Sequence, residues 1–193
     1  MMAQMTLLDV MLARTTPKEL VAPAPDGKAL NMALEAAVAA PDHGRLRPWR
    51  FILIENSMRQ NFGAILAQAL KRRKPEATEA ELEREAAKPL RAPLVIAVGA
   101  KIVSRPGVPE VEQILAVGAA IQNLSLALYA QGYAASWKTG EPAYDAGVKA
   151  ALGLGDSDAI VGFIYVGTPA SAASPRPRPP ASEFLQHWNG AMT

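Results

Sequence analysis

Ala40-Pro41-Asp42-His43-Gly44-Arg45-Leu46-Arg47-Pro48-Trp49-Arg50-Phe51 is the stretch on which the reading of the fold turns. An alanine-rich helical pattern runs into it. Trp49-Arg50-Phe51-Ile52-Leu53-Ile54, aromatic and β-branched, leads out of it as a strand. Pro41 stops the helix, Gly44 permits an unusual turn, and Pro48 removes a donor just before the strand. Between these rigid ends lie His43 and the arginines 45, 47 and 50. A cationic loop pinned at both ends suits an anionic or polar ligand. Alone it reads as a solvated arginine-rich loop, and it gains weight only from partners elsewhere in the chain.

Upstream, Thr6 to Ala13 reads as a short apolar helix ending at Arg14-Thr15-Thr16-Pro17. Val21 to Pro25 is a proline-rich link, and Asp26 is a plausible cap for a helix over Lys28 to Ala39. Downstream, Ser57 opens a helix to about Arg73. Thr78-x-x-Glu81 is a capping-box pattern for a charged helix to about Lys88. Pro93 to Lys101 is a buried strand. Glu110 to Gln131 is the longest helix, apolar on nearly every side, with Gly118-Ala119-Ala120 where another helix can come close. Tyr133 to Trp137 predicts a short strand, Ala143 to Leu152 a helix, and Ile160 to Gly167 the last strand. A proline-rich tail, about 170–193, carries Arg176 and Arg178, with Phe184 and Trp188 beyond them.

The 193 residues suffice for one domain with a real core, and half of them are hydrophobic. Such surplus apolar surface suits a subunit interface. A net charge of +2 is too weak to argue for nucleic acid. No run of 18 apolar residues exists, and the N-terminus lacks a secretory pattern, so the expectation is a cytoplasmic chain without a membrane span. The chain has no cysteine and only two histidines, His43 and His187. That excludes thiol nucleophiles and disfavours a metal centre, leaving chemistry to an organic cofactor or to none. Gly153-Leu154-Gly155 follows a helix and precedes a strand, the wrong order for a dinucleotide turn. No Gly-x-Ser-x-Gly elbow or nucleophile beside a histidine suggests a hydrolase.

Four segments in order carry more weight: the helix ending Arg14-Thr15-Thr16, the Pro41 to Trp49 loop, Gly132-Tyr133-Ala134-Ala135-Ser136-Trp137-Lys138-Thr139-Gly140 after the long helix, and the strand ending Val166-Gly167-Thr168-Pro169. Together they resemble the flavin-dependent nitroreductase family, especially its short bacterial members. The resemblance covers nearly the whole chain. It implies a single α+β domain with a mostly antiparallel sheet of four or five strands flanked by helices, in an intertwined homodimer with two flavin sites at the interface.

By the same resemblance, Arg14, Thr15 and Thr16 hold the FMN phosphate, one threonine standing where the family has a second arginine. Arginine's planar fork suits phosphate. His43, Trp137, Lys138 and Thr139 contact the flavin, and Arg45 and Arg47 fill slots that are Asn and Gln in the family. A cation at Lys138 stabilises the charge that reduced flavin develops. Arg176 or Arg178 is placed to supply the missing phosphate cation. The implied activity is electron transfer from NADH or NADPH through FMN to a nitroaromatic, quinone or similar small acceptor, in ping-pong fashion. The flavin carries that chemistry, so no side chain is assigned as catalytic. The alternatives are a flavin carrier or regulator with little turnover, and a basic nucleic-acid module, which the few arginines disfavour.

Overall fold

In the computed structural model, residues 5–171, 177–188 and 190 are described. The organising strand is β3 (Leu94–Ala100), buried at every position. It pairs on one edge with β2 (Trp49–Glu55) and on the other with β5 (Ala159–Pro169). β4 (Ala134–Lys138) and the two-residue β1 (Leu20–Val21) both pair with β5. All pairings are antiparallel, giving a five-stranded sheet. The proline-rich link had masked β1, whose two residues are too few to show a period.

Alternation along β3 supplies both faces of the core. Leu94, Ile96, Val98 and Ala100 pack beneath α2 (Gly27–Val38) and α5 (Glu110–Ala130), against Ala33, Val117, Ile121 and Leu124. Val95 and Ala97 face α3 (Met58–Arg73) and α6 (Ala146–Ala151), against Phe62, Leu66 and Val148. Helices on both faces explain why β3 is apolar at consecutive positions.

The caps follow local chemistry. Thr6 and Thr78 each close a capping box, on α1 (Leu7–Ala13) and α4 (Glu79–Ala86), and Asp26 accepts from Ala29 N on α2. Two boundaries differ from the sequence reading. The charged helix stops at Ala86, and a 3-10 turn over Lys88–Arg91 carries Pro89. The helix expected from Ala143 is a 3-10 turn, Glu141–Tyr144, then α6, because the Asp145 carboxylate caps Val148 N and restarts the helix there. Burial explains how it can: Asp145 is nearly enclosed, and although that raises its pKa most, Val148 N and the Arg72 guanidinium outweigh it and hold the carboxyl below its ordinary value.

α5 has the length and apolarity of a membrane span, but half of its most apolar window is buried within the protein. Ala120 is fully buried under α2, and Gly118 faces the Trp137 ring, which a Cβ there would meet at 3.9 Å. The outward face of α5 still presents Val111 and Leu115 to solvent, as α1 presents Leu7, Leu8 and Leu12.

Candidate active site

Strand alternation divides β4 between two sides of the sheet. Trp137 turns toward α5: its ring lies over Gly162, and its Nε1 donates to Val161 O at 3.2 Å. A Cβ at Gly162 would stand 2.1 Å from that nitrogen, so only glycine admits the ring there. Ser136 and Lys138 turn the other way, and with Thr139 they line a cavity of about 280 Å³ on the α3 face.

The floor of that cavity is Phe163 and Tyr165 of β5, the register partners of Lys138 and Ser136. Pro17, Lys18 and Leu20 enter from the N-terminal segment, Leu66 from α3, and Lys88 and Arg91 from the turn after α4. That turn is held close by Gly63 of α3, where a Cβ would meet Ala86 O at 2.1 Å. Among the described residues, no acidic side chain lines the cavity. Lys88 pairs with Glu85 at 2.6 Å, whereas Lys18, Arg91 and Lys138 have no ion-pair partner among the described residues. Ser136 is 5% exposed, and its hydroxyl finds no partner among the described residues. Burial pushes the Tyr165 hydroxyl up, with Glu85 adding and Arg91 opposing, so it stays a donor at neutral pH. An aromatic floor, unpartnered hydroxyls and cations without acids suit a planar, electron-rich or anionic ligand.

The residues expected at a site fall in three places. Arg14 caps α1 through its backbone, and the tail's Arg178 donates to Arg14 O at 2.9 Å. Arg176 lies outside the described residues. Thr15 lines a second cavity of about 350 Å³ that shares Pro17 with the first, and Thr16 is exposed. Lys138 and Thr139 line the first cavity, and Trp137 supports it from behind.

His43 is elsewhere. It sits on a 3-10 turn, exposed, with Nδ1 2.5 Å from Glu112 Oε2 on α5, beside a shallow cavity that includes Leu115 and Ala119. Its loop is a formed structure: Gly44, Arg45 and Arg47 have φ of 76°, 54° and 50°, and Asp42 Oδ2 accepts from Arg47 N at 2.7 Å. Arginine in the left-handed region costs on the order of 1 kcal/mol, and Gly44 leads that turn at little cost.

Sequence reading missed Lys18, Lys88, Arg91, Ser136 and Tyr165. Ser136 was within reach, since it shares the strand face of Lys138. Lys88 and Arg91 lie about 50 residues from β4 in a run that reads as solvated surface, and contacts with α3, at Gly63 and from Arg59 to Ala92 O, bring them in.

The Nitroreductase family profile matches residues 11–168. The Escherichia coli K12 protein named "Putative NAD(P)H nitroreductase YdjA" is 36% identical over 170 residues, 88% of this chain and 92% of that protein. The nitroreductase-like family protein of Bacillus cereus superposes with a TM-score of 0.83 at 23% identity, covering 98% of this chain and all of that one. A Desulfovibrio desulfuricans structure, titled "putative nitroreductase in complex with FMN", gives 0.71 at 25% identity over 98% of this chain and all of that one. With a profile spanning most of its length and a relative 36% identical over 88% of it, the chain belongs to the nitroreductase family.

Proposed function

We propose that this chain is an FMN-dependent NAD(P)H oxidoreductase that passes electrons to a nitroaromatic, quinone or similar small acceptor in ping-pong fashion. The observation that carries the reading is the cavity over Phe163 and Tyr165, with Ser136, Lys138 and Thr139 on one edge and no acid in its walls. Relatives bearing the NAD(P)H nitroreductase name support it, as does the family member solved with FMN.

A bound flavin would supply the hydride and electron chemistry. The chain's own residues bind and tune. Ser136 and Thr139 offer hydroxyls to the ring's polar edge, and Lys138 places a cation where negative charge develops. Arg14, Thr15 and Thr16, with Arg178 alongside, hold the phosphate. Trp137 locks the strand that presents these groups.

The His43 turn is apart from the cavity within one chain. Its place at a flavin therefore requires a second copy, and this reading includes a homodimer. The test is a visible spectrum of the purified protein, recorded anaerobically with and without NADPH. A yellow protein that releases FMN on denaturation and bleaches with NADPH is expected. A colourless protein that gains no spectrum from excess FMN refutes the proposal.

A further inference from the structure

β3 and β4 flank β5 on its two edges, and Val95 and Ser136 are both register partners of Tyr165. The cavity floor is therefore bounded by one set of groups on each edge. On the β4 edge stand Ser136, Lys138 and Thr139. On the β3 edge stand Lys88 and Arg91, just before the strand begins. Two strand spacings separate the edges, roughly 10 Å. A planar ring served by the first set leaves the second unused.

That second set is built for a ligand. Glu85, itself buried, holds Lys88 in place through both carboxylate oxygens at 2.7 and 2.6 Å. Arg91 has no ion-pair partner among the described residues. Tyr165 adds a phenol donor on the floor beneath, its pKa raised further by burial, and the Ser136 hydroxyl next to it has no hydrogen-bond partner among the described residues. A paired lysine, an open guanidinium and a phenol form a donor set for a planar or tetrahedral oxyanion.

We propose that Arg91, with Lys88 and Tyr165, is the specificity site for an oxyanion carried by the molecule that exchanges electrons with the flavin. This rests on the oxidoreductase reading above. One ligand chemistry has two sources, the 2′-phosphate that distinguishes NADPH from NADH and a carboxylate on an aromatic acceptor, and the experiment separates them.

The holoenzyme, its Arg91→Gln variant and, as a charge control on the exposed face of α4, Arg84→Gln are compared. kcat/KM is measured for NADPH against NADH with one acceptor, and for 4-nitrobenzoate against 4-nitrobenzamide with one donor. FMN dissociation constants and direct calorimetric binding of NADP⁺ and 4-nitrobenzoate complete the set. In Arg91→Gln one of the two preference ratios falls about tenfold, as the loss of one charge-assisted hydrogen bond requires. Binding of the same anion weakens in parallel, while FMN affinity stays at the wild-type value and Arg84→Gln matches wild type. A fall in the donor ratio assigns the phosphate, and a fall in the acceptor ratio assigns the carboxylate. If neither ratio moves, or FMN affinity falls with them so that the cation serves the cofactor, the proposal is overturned. A wild-type protein that takes no FMN yet binds either anion through Arg91 refutes the flavin reading and leaves this site standing.

Discussion

Gly162→Ala puts the link between core packing and cavity to a direct test. The new methyl would stand 2.1 Å from Trp137 Nε1 and 2.6 Å from its Cδ1, with Lys138 O at 3.1 Å. These are atoms at the body of the indole, so the ring cannot yield by rotating a flexible tip. Gly118 of α5 faces its far edge, which a Cβ at that position would meet at 3.9 Å. The indole must shift, and β4 shifts with it. Overpacking costs about 1–3 kcal/mol, and losing the Nε1–Val161 bond costs about 0.5–1.5, so the sum is about 1.5–4.5 kcal/mol. Urea unfolding should then shift by about 1–2 M. Because Lys138 and Thr139 ride on the same strand, FMN affinity should weaken at least about tenfold. The double variant Trp137→Ala/Gly162→Ala removes the clash. It should be no less stable than Trp137→Ala alone by more than about 0.5 kcal/mol, a large departure from additivity. A Gly162→Ala protein with wild-type midpoint and wild-type FMN affinity would refute the packing account.

Arg14→Ala should weaken FMN binding by about one to two decades, from lost charge-assisted bonds of roughly 1.5–3 kcal/mol, with little change in unfolding midpoint. A wild-type dissociation constant by fluorescence titration returns Arg14 to the role of a helix-end cation. Lys138→Ala should instead lower the midpoint potential of bound FMN, measured by dye equilibration, while oxidised FMN still binds; an unchanged potential refutes it. Light scattering should show a dimer, about twice 20.5 kDa, and Leu115→Glu on the exposed face of α5 should break it and lose flavin alongside; a wild-type monomer, or a Leu115→Glu dimer retaining FMN, counts against the shared site. The Glu81 carboxyl is lowered to about 2, mainly by Lys74 and then by Thr78. Its folded pKa is depressed, so its contribution is present above the ordinary carboxylate value and lost as pH falls through about 2. The urea-midpoint gap between wild type and Glu81→Gln should therefore close from pH 5 to pH 2, and a pH-independent gap refutes this.

The elements were legible wherever one local signal dominated. Thr6 and Thr78 marked helix starts because a hydroxyl and an acid three residues on satisfy each other and the backbone together. β3 showed as an unbroken apolar run because helices cover both its faces. β1 was hidden because two residues carry no period, and α6 began late because Asp145 captured Val148 N inside an apparently continuous helix. Of the residues singled out in the sequence, Lys138 and Thr139 line the candidate cavity, whereas Arg14 and Thr16 do not and Thr15 lines the neighbouring one. The site was not legible at Lys88 and Arg91. Their approach rests on contacts with another helix, the close packing of Gly63 on Ala86 and the Arg59 bond to Ala92 O, and long-range packing of that kind leaves no pattern in either segment.

The segment Ser136-Trp137-Lys138 shows why a motif can be located without its roles being assigned. Three adjacent residues read as one contact element, yet the strand's two-residue period sends them to opposite sides of a sheet. Ser136 and Lys138 reach the cavity, while Trp137 reaches α5 and is fixed by Gly162 and Val161 O. The indole cannot be exchanged for a smaller group without freeing the strand, nor moved without carrying the cation with it. The Trp137 indole is then a packing requirement that sets the position of Lys138. The same reasoning separates His43 from the rest. Its partner Glu112 and its neighbour Leu115 belong to the outward face of α5, away from the cavity of its own chain. A change at His43 that alters flavin chemistry must therefore act across two copies. Mixed dimers of a His43→Ala chain with an Arg14→Ala chain would then contain one intact site in two, whereas a site closed within one chain would leave none.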